Sequence, residues 1–309
     1  MNQKELKELI EFLIEKDIAE FELERGDVKV RIKRGSEPVV SASAHDTRFF
    51  AVHSAPPPVP EVAPPIHVAA FKLTEAASLW DNLPKPIESS SPMTMEDIGQ
   101  AYGYILYRNQ ALVQGTSHKL AMDGPHDYAK VYSSRKLVGT LDRRLGQTSL
   151  SITTTVAPHT AAVLHLDILV ENTGRINYSK QLRGEGKGIG QFVSISGDPM
   201  PNWRIYPLPM THPEAQHFTK AACTGPCFYR GTFEVEKVGD TFLDTSQLGK
   251  GQLWVNGHAL GRFWNIGPQK TLYLPGPWLK KGANEVVVFD VDGHAGAALE
   301  GLVKADLGR

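Results

Sequence analysis

GKGQLWVNGHALGRFWNIGPQKTLYLPGPWLKKGANEVVVFD, residues 249–290, decides the fold class. Residues 253–255, 271–274 and 286–291 are short runs rich in β-branched, aromatic and leucine side chains, separated by Gly, Pro and Asn turn signals. Asn256-Gly257 stands between LWV and HALGRFW, and this dipeptide suits a two-residue I′ hairpin, in which both central residues take positive φ. The same texture extends upstream. Residues 102–108 read YGYILYR, Leu164, Leu166, Ile168 and Val170 alternate along another run, and residues 228–235 form a further strand. Many short strands at such spacing predict a mainly β protein, with two jelly-roll-like sandwiches at 92–188 and 189–309.

The first 35 residues follow a different pattern. Leu6, Leu9, Ile10, Leu13 and Ile14 recur at helical spacing, with Glu5, Glu8, Glu11 and Glu15 off the stripe. Period two then takes over: Phe21 and Leu23 alternate with glutamates, and after Arg25-Gly26-Asp27, Val28, Val30 and Ile32 alternate with bases. A helix and a hairpin pairing acids with bases are expected at 1–35, a small α+β unit that buries too little to stand firmly alone. Self-association through this unit is one expectation. Residues 36–91 read as a linker: 36–66 are Pro-, Ala- and Ser-rich and predict a disordered spacer, and 71–83 could form a short helix before Pro84 and Pro86.

Composition sets limits. The 309 residues are 41% hydrophobic and 22% charged, with a net charge of −1, which offers no electrostatic footing for nucleic acid or an anionic membrane. No apolar run approaches the ~20 residues of a bilayer span. The charged N-terminus lacks the apolar core of a signal peptide, so a cytoplasmic protein is expected.

Seven ordered blocks resemble the C-terminal part of glycoside hydrolase family 35 β-galactosidases. They are PMTMEDIGQAYGYILYR (92–108), GTLDRRLGQ (139–147), LDILVENTGRINY (166–178), NWRIYPLPM (202–210), GPCFYRGTF (225–233), GDTFLD (239–244) and the block at 249–290. The resemblance implies two β-sandwiches, the second galactose-binding-like, that follow a catalytic barrel. Residues 1–65 resemble the N-terminus and Ala/Pro linker of the bacterial biotin carboxyl carrier protein of acetyl-CoA carboxylase.

Each resemblance implies chemistry that this sequence does not supply. Retaining glycosidases use two carboxylates ~5–5.5 Å apart, which family 35 sets on a (β/α)₈ barrel, and a barrel needs ~200 residues of alternating strand and helix. Glu171, Glu234 and Glu236 read as surface or turn residues, so no catalytic residue is assigned and the chain is expected to be inactive alone. Carrier proteins attach biotin to a Met-Lys-Met lysine; here Met93-Thr94-Met95 lacks the amine. No cofactor is expected.

Sugar sites combine an aromatic platform with planar amides or guanidinium groups. Asn256, His258, Arg262, Trp264 and Asn265 are the candidate sugar-binding residues, although Trp254 and Trp264 also suit a sandwich core. Cys223 and Cys227 read as free, small buried residues rather than a zinc site. Residues 290–293 make a poor calcium loop, and the glycines at 184–190 read as a turn. Ser133-Ser134-Arg135-Lys136 disfavours a I′ turn and predicts a longer loop.

Three functional expectations follow. The first is a truncated β-galactosidase-like protein that keeps its non-catalytic sandwiches, with galactosides or a separate catalytic barrel as partners. The second is an interaction protein that docks on acetyl-CoA carboxylase subunits. The third is a chimeric gene without joint activity.

Overall fold

The computed structural model describes residues 3–16, 18, 20–25, 28–33, 63–155, 160–190, 192–213 and 216–308. They fall into two compact units, 1–61 and 62–309. In the first, the expected helix forms at Gln3–Glu15, and Glu20–Arg25 pairs antiparallel with Val28–Lys33. The register sets Glu20 opposite Lys33, Glu22 opposite Arg31 and Glu24 opposite Lys29, the acid-to-base pairing its alternation predicts. Along the helix Leu13 is buried, while Ile10, Phe12 and Ile14 are exposed. Of the spacer expected at 36–66, residues 36–62 lie outside the described residues, and Ile66 donates its backbone N–H to the Asp240 carbonyl at 2.7 Å.

Among the described residues, the second unit has four larger sheets in two sandwiches and a two-stranded ladder of Pro125–His126 with Gly188–Ile189. The inner sheet of the first sandwich has six strands, ordered Lys136–Asp142, Tyr128–Ser133, Ala161–Glu171, Tyr104–Gln114, Trp203–Leu208 and Ile87–Ser89. Its outer sheet contains Ser149–Thr153, Ser117–Met122, Val193–Ile195 and Asp198–Pro199. In the second sandwich the inner sheet runs His258–Trp264, Lys250–Val255, Gly282–Asp290, Cys227–Val235 and Glu75–Ser78. Its outer sheet runs Thr271–Leu274, Thr241–Asp244, Ala298–Leu302 and Val68–Lys72.

Strand alternation explains the stacking. On Tyr104–Gln114, Ile105 and Tyr107 face the core of the first sandwich, whereas Tyr104 and Leu106 point the other way into a second apolar cluster. On Gly282–Asp290, Val286 and Val288 fill the second sandwich, and Val287 and Phe289 meet Tyr104 and Leu106 in that shared cluster. Both inner sheets are therefore buried on both faces. Tyr104 meets Phe289 edge to face at 5.1 Å, and Trp80 meets Tyr132 at 5.1 Å.

Several expectations are corrected. Residues 68–91 are not linker, and 71–83 is not a helix. Val68–Lys72 and Glu75–Ser78 complete the sheets of the second sandwich, Ile87–Ser89 pairs with Trp203–Leu208, and Leu79–Asp81 is a single 3₁₀ turn. These short strands close open sheet edges, and only partner strands distant in sequence define them. The boundary at 188/189 also moves, because Val193–Ile195 and Trp203–Leu208 belong to the first sandwich. Ser133 pairs with Lys136 around a two-residue turn in which Ser134 and Arg135 have φ of 48° and 65°, so the longer loop does not form. Asn256 and Gly257, at 49° and 80°, make the expected I′ turn.

Cys223 and Cys227 are joined by a disulfide rather than free. Gly225, at φ 78°, turns the intervening loop back and leaves the two Cα atoms 6.3 Å apart, within bridging range. The glycine run at 184–190 is a turn that enters a short strand, as expected. Gly188, at φ 98°, lies where a Cβ would run into the Tyr107 hydroxyl. No helix of the described residues is long and apolar enough to cross a membrane.

Candidate functional site

The site lies where the ends of the two inner sheets meet. Glu171 is the last residue of its strand and shares the face of Leu169 and Asp167, toward the second sandwich. Lys250 begins the facing strand, directly opposite Trp264 in register. The two side chains meet as a buried ion pair, Nζ to Oε2 at 2.5 Å, and they are 4% and 2% exposed respectively. Glu171 is thus no surface residue, a correction that follows from the second sandwich covering this face. Glu234 and Glu236 are exposed, as expected. Burial lowers the affinity of Lys250 for its proton, against the pull of Glu171.

The GTLDRRLGQ block builds the adjoining wall. Asp142 caps the 3₁₀ turn Arg143–Leu145 by accepting from the Arg144 backbone N–H at 2.9 Å, and Gly146 closes it at φ 64°. The Arg144 guanidinium returns to Asp142 at 2.5 Å and lies 4.1 Å from the centroid of the Trp264 ring. Its hydrogen bond holds the Asp142 carboxyl below the usual range, against burial. Lys250 Nζ sits 3.9 Å from the same ring centroid, and Tyr128 meets the ring edge to face at 5.2 Å.

Behind this wall, Asp127 is saturated. It accepts from Lys187 Nζ at 2.9 and 3.1 Å, from the Arg143 guanidinium at 2.8 Å, and from the Thr173 amide and hydroxyl at 2.9 and 2.8 Å. Burial alone would raise its pKa, but the hydrogen bonds from Lys187, Arg143 and Thr173 outweigh burial and hold it low. Glu185, ion-paired to both Arg143 and Lys187, is held low in the same way. Lys187 is 1% exposed, and nothing in a glycine-rich turn marks it for burial.

Of the five candidate sugar-binding residues, the structure brings Arg262 and Trp264 together on a cleft of about 420 Å³. Trp264 thus lines a cleft instead of filling a core. Trp254 is buried in the cluster shared by the two sandwiches. Asn256 and His258 are at the opposite end of the same hairpin: Asn256 donates to Asn284 Oδ1 and the Trp278 carbonyl, each at 2.8 Å, and His258 stacks on Trp278 at 4.9 Å. The backbone of Asn265 bonds to Gly249 and accepts from Lys270. Sequence reasoning set Glu171 aside as a surface or turn residue and did not single out Arg144 or Lys250. Among the described residues, no cluster of three potential ligands could hold a metal.

Two family models match the chain. Residues 92–209 match the first all-beta domain of beta-galactosidase, and residues 226–284 match its galactose-binding domain. The Beta-galactosidase of Xanthomonas manihotis is 42% identical over 220 residues, covering 71% of this chain and 36% of that protein. Human Beta-galactosidase-1-like protein 2 is 36% identical over 271 residues, 82% of this chain and 41% of the relative. The chain spans 36% to 42% of the length of such relatives. A GH2 beta-galacturonidase from Eisenbergiella tayi, solved bound to galacturonate, aligns with a TM-score of 0.23 at 8% identity over 75% of this chain and 38% of that one.

Proposed function

From the premise that residues 92–209 and 226–284 are β-galactosidase-type β domains, we propose that they act as the non-catalytic sandwich pair of a glycoside hydrolase. Their role is to brace a catalytic barrel that carries the two carboxylates of the reaction. One observation supports this reading: the carboxylates at the cleft are committed to internal partners. Asp127 and Asp142 are held below the usual range, whereas a glycosidase general acid needs a raised pKa. Glu171 is neutralised by Lys250. Asp127 and Asp142 are spent within the first sandwich and Glu171 on the seam, so none is left poised to protonate a leaving group.

A brace has to be stiff. The inner sheets share an apolar cluster, and charged contacts such as Lys130 with Asp292 and Arg262 with the Asn172 carbonyl cross the seam. Complementation tests the reading. A β-galactosidase barrel expressed without its own β domains is combined with this chain, and the excised authentic segment serves as the positive control. Rescue of soluble, active barrel is expected. Failure to rescue, where the authentic segment succeeds, overturns the reading.

A further inference from the structure

The loop from Thr173 to Lys187 is anchored at its base more firmly than the joining of two sandwiches requires. Two carboxylates each tie its two ends together. Asp127 accepts from the Thr173 amide and from Lys187 Nζ, both at 2.9 Å. Glu96 is ion-paired to Arg175 and accepts from the Lys187 backbone N–H at 2.7 Å. All of these groups belong to the first sandwich, so none of the bonds crosses the seam. Long ordered loops with closed ends are uncommon in compact domains and are frequently functional.

The tip contrasts with the base. Tyr178 is 86% exposed and Leu182 53%, and Lys180 and Arg183 accompany them at the surface. The exposed charges of the loop, Arg175, Lys180 and Arg183, are all basic, and its one acid, Glu185, is spent on Arg143 and Lys187. At the foot lies a hollow of about 370 Å³, bordered by Tyr102 and Arg175 of the first sandwich and by Trp254 and Arg262 of the second, with no acid in its lining. The basic surface therefore continues the seam to the outside, where one partner touches both sandwiches at once.

Tyrosine and arginine are the residue types that anchor protein interfaces, and a loop fixed beforehand loses little freedom on docking. A basic surface selects an acidic partner. A second copy of this chain fits badly, because a two-fold contact sets the basic face against itself. Granted the bracing role, on which this rests, we infer that the Thr173–Lys187 loop is the face that docks the catalytic barrel. Tyr178 and Leu182 enter an apolar hollow on the barrel, and carboxylates at its rim meet Arg175, Lys180 and Arg183.

The test is a complementation titration. A β-galactosidase barrel lacking its own β domains is mixed with increasing amounts of the full chain, and the concentration giving half-maximal rescue is read. The wild type is compared with Tyr178→Ala, with Lys180→Glu/Arg183→Glu and with Leu112→Ser/Val163→Ser. The replaced side chains are all exposed, and circular dichroism checks each fold. Tyr178→Ala and Lys180→Glu/Arg183→Glu should each raise the half-maximal concentration about tenfold. Added salt should raise it for the wild type and less for the charge-reversed variant. Leu112 and Val163 pair across the far ends of their strands, and replacing them should change nothing. Rescue indifferent to both loop variants, or weakened equally by Leu112→Ser/Val163→Ser, overturns this inference and leaves the bracing role standing. No rescue by the wild type, where the authentic segment succeeds, overturns both. A wild-type chain that self-associates and turns monomeric as Tyr178→Ala assigns the face to a second copy and overturns the barrel as its occupant.

Discussion

Glu171 of the first sandwich and Lys250 of the second meet at 2.5 Å in a seam where neither is more than 4% exposed. Each ion gave up its hydration to be there, and their attraction roughly offsets that cost. Removing one partner leaves the other buried and uncompensated. Glu171→Leu should therefore destabilise the protein by about 3–5 kcal/mol, whereas Glu171→Leu combined with Lys250→Met should recover most of the loss. Urea unfolding of the four-member cycle measures this, and a single-variant cost below about 1 kcal/mol would refute the buried pairing. The deficit of the single variant should also shrink as pH rises. Burial already holds Lys250 below its unfolded value of ~10.4 against the pull of Glu171; without Glu171 it is held lower still, so the variant gains more stability than the wild type as pH rises.

Asp127 is one of the carboxyls that limit the fold in acid. Its carboxyl, with those of Asp142 and Glu185, is held below the usual range by hydrogen bonds from Arg and Lys. A depressed folded-state pKa means that the unfolded chain binds more protons in acid. The associated stability is present above about pH 4.5 and is lost as pH falls through the depressed values. The melting temperature should be flat from about pH 7 to 5 and drop steeply below about 4. Asp127→Asn should lower the plateau and flatten the acid limb; an unaltered limb would place the acid sensitivity elsewhere.

Sequence pattern made the strands legible and left their coverings hidden. Alternation at 164–170 marks two faces, and it reports an apolar core on one of them. That the opposite face carries Asp167 and Glu171 into a second buried layer depends on another sandwich lying over it. The same is true of Lys130 and Lys187, whose partners come from distant segments. Strands of three to five residues at 68–89 take their identity from the edges they cap, so a proline-bounded segment read as linker. At the site, Arg262 and Trp264 were visible because an aromatic and a guanidinium sit close together on a hairpin. Asn256 and His258 were grouped with them by proximity in sequence, but a hairpin carries its turn away from its strand ends.

The Cys223–Cys227 disulfide closes a very short loop, and the chain-entropy model assigns such a cross-link about 2 kcal/mol. Thiol titration in denaturant should find no free thiol before reduction and two after it. Reduction, or Cys223→Ser with Cys227→Ser, should lower stability by about that amount. Two free thiols in untreated protein would remove the cross-link.

The turn at Ser134-Arg135 is strained. Both residues adopt left-handed backbone conformations, φ 48° and 65°, where an L side chain costs roughly 1–2 kcal/mol. The register holds them there: Ser133 faces Lys136, and Tyr132 and Leu137 continue the ladder, so the two-residue loop has no slack. The inner sheet fixes that register from the other side by pairing Tyr132 with Asp167. Replacing the dipeptide with Asn-Gly, the pair that best tolerates I′ geometry, should raise stability by about 1 kcal/mol. The swap forfeits the exposed Arg135–Asp81 contact at 3.6 Å, which is worth only a few tenths of a kcal/mol. Thermal unfolding of Ser134→Asn/Arg135→Gly reads the outcome. An unchanged or lowered melting temperature would mean that the chain makes a looser connection there, and the register of the sheet's outermost hairpin would need to be drawn again.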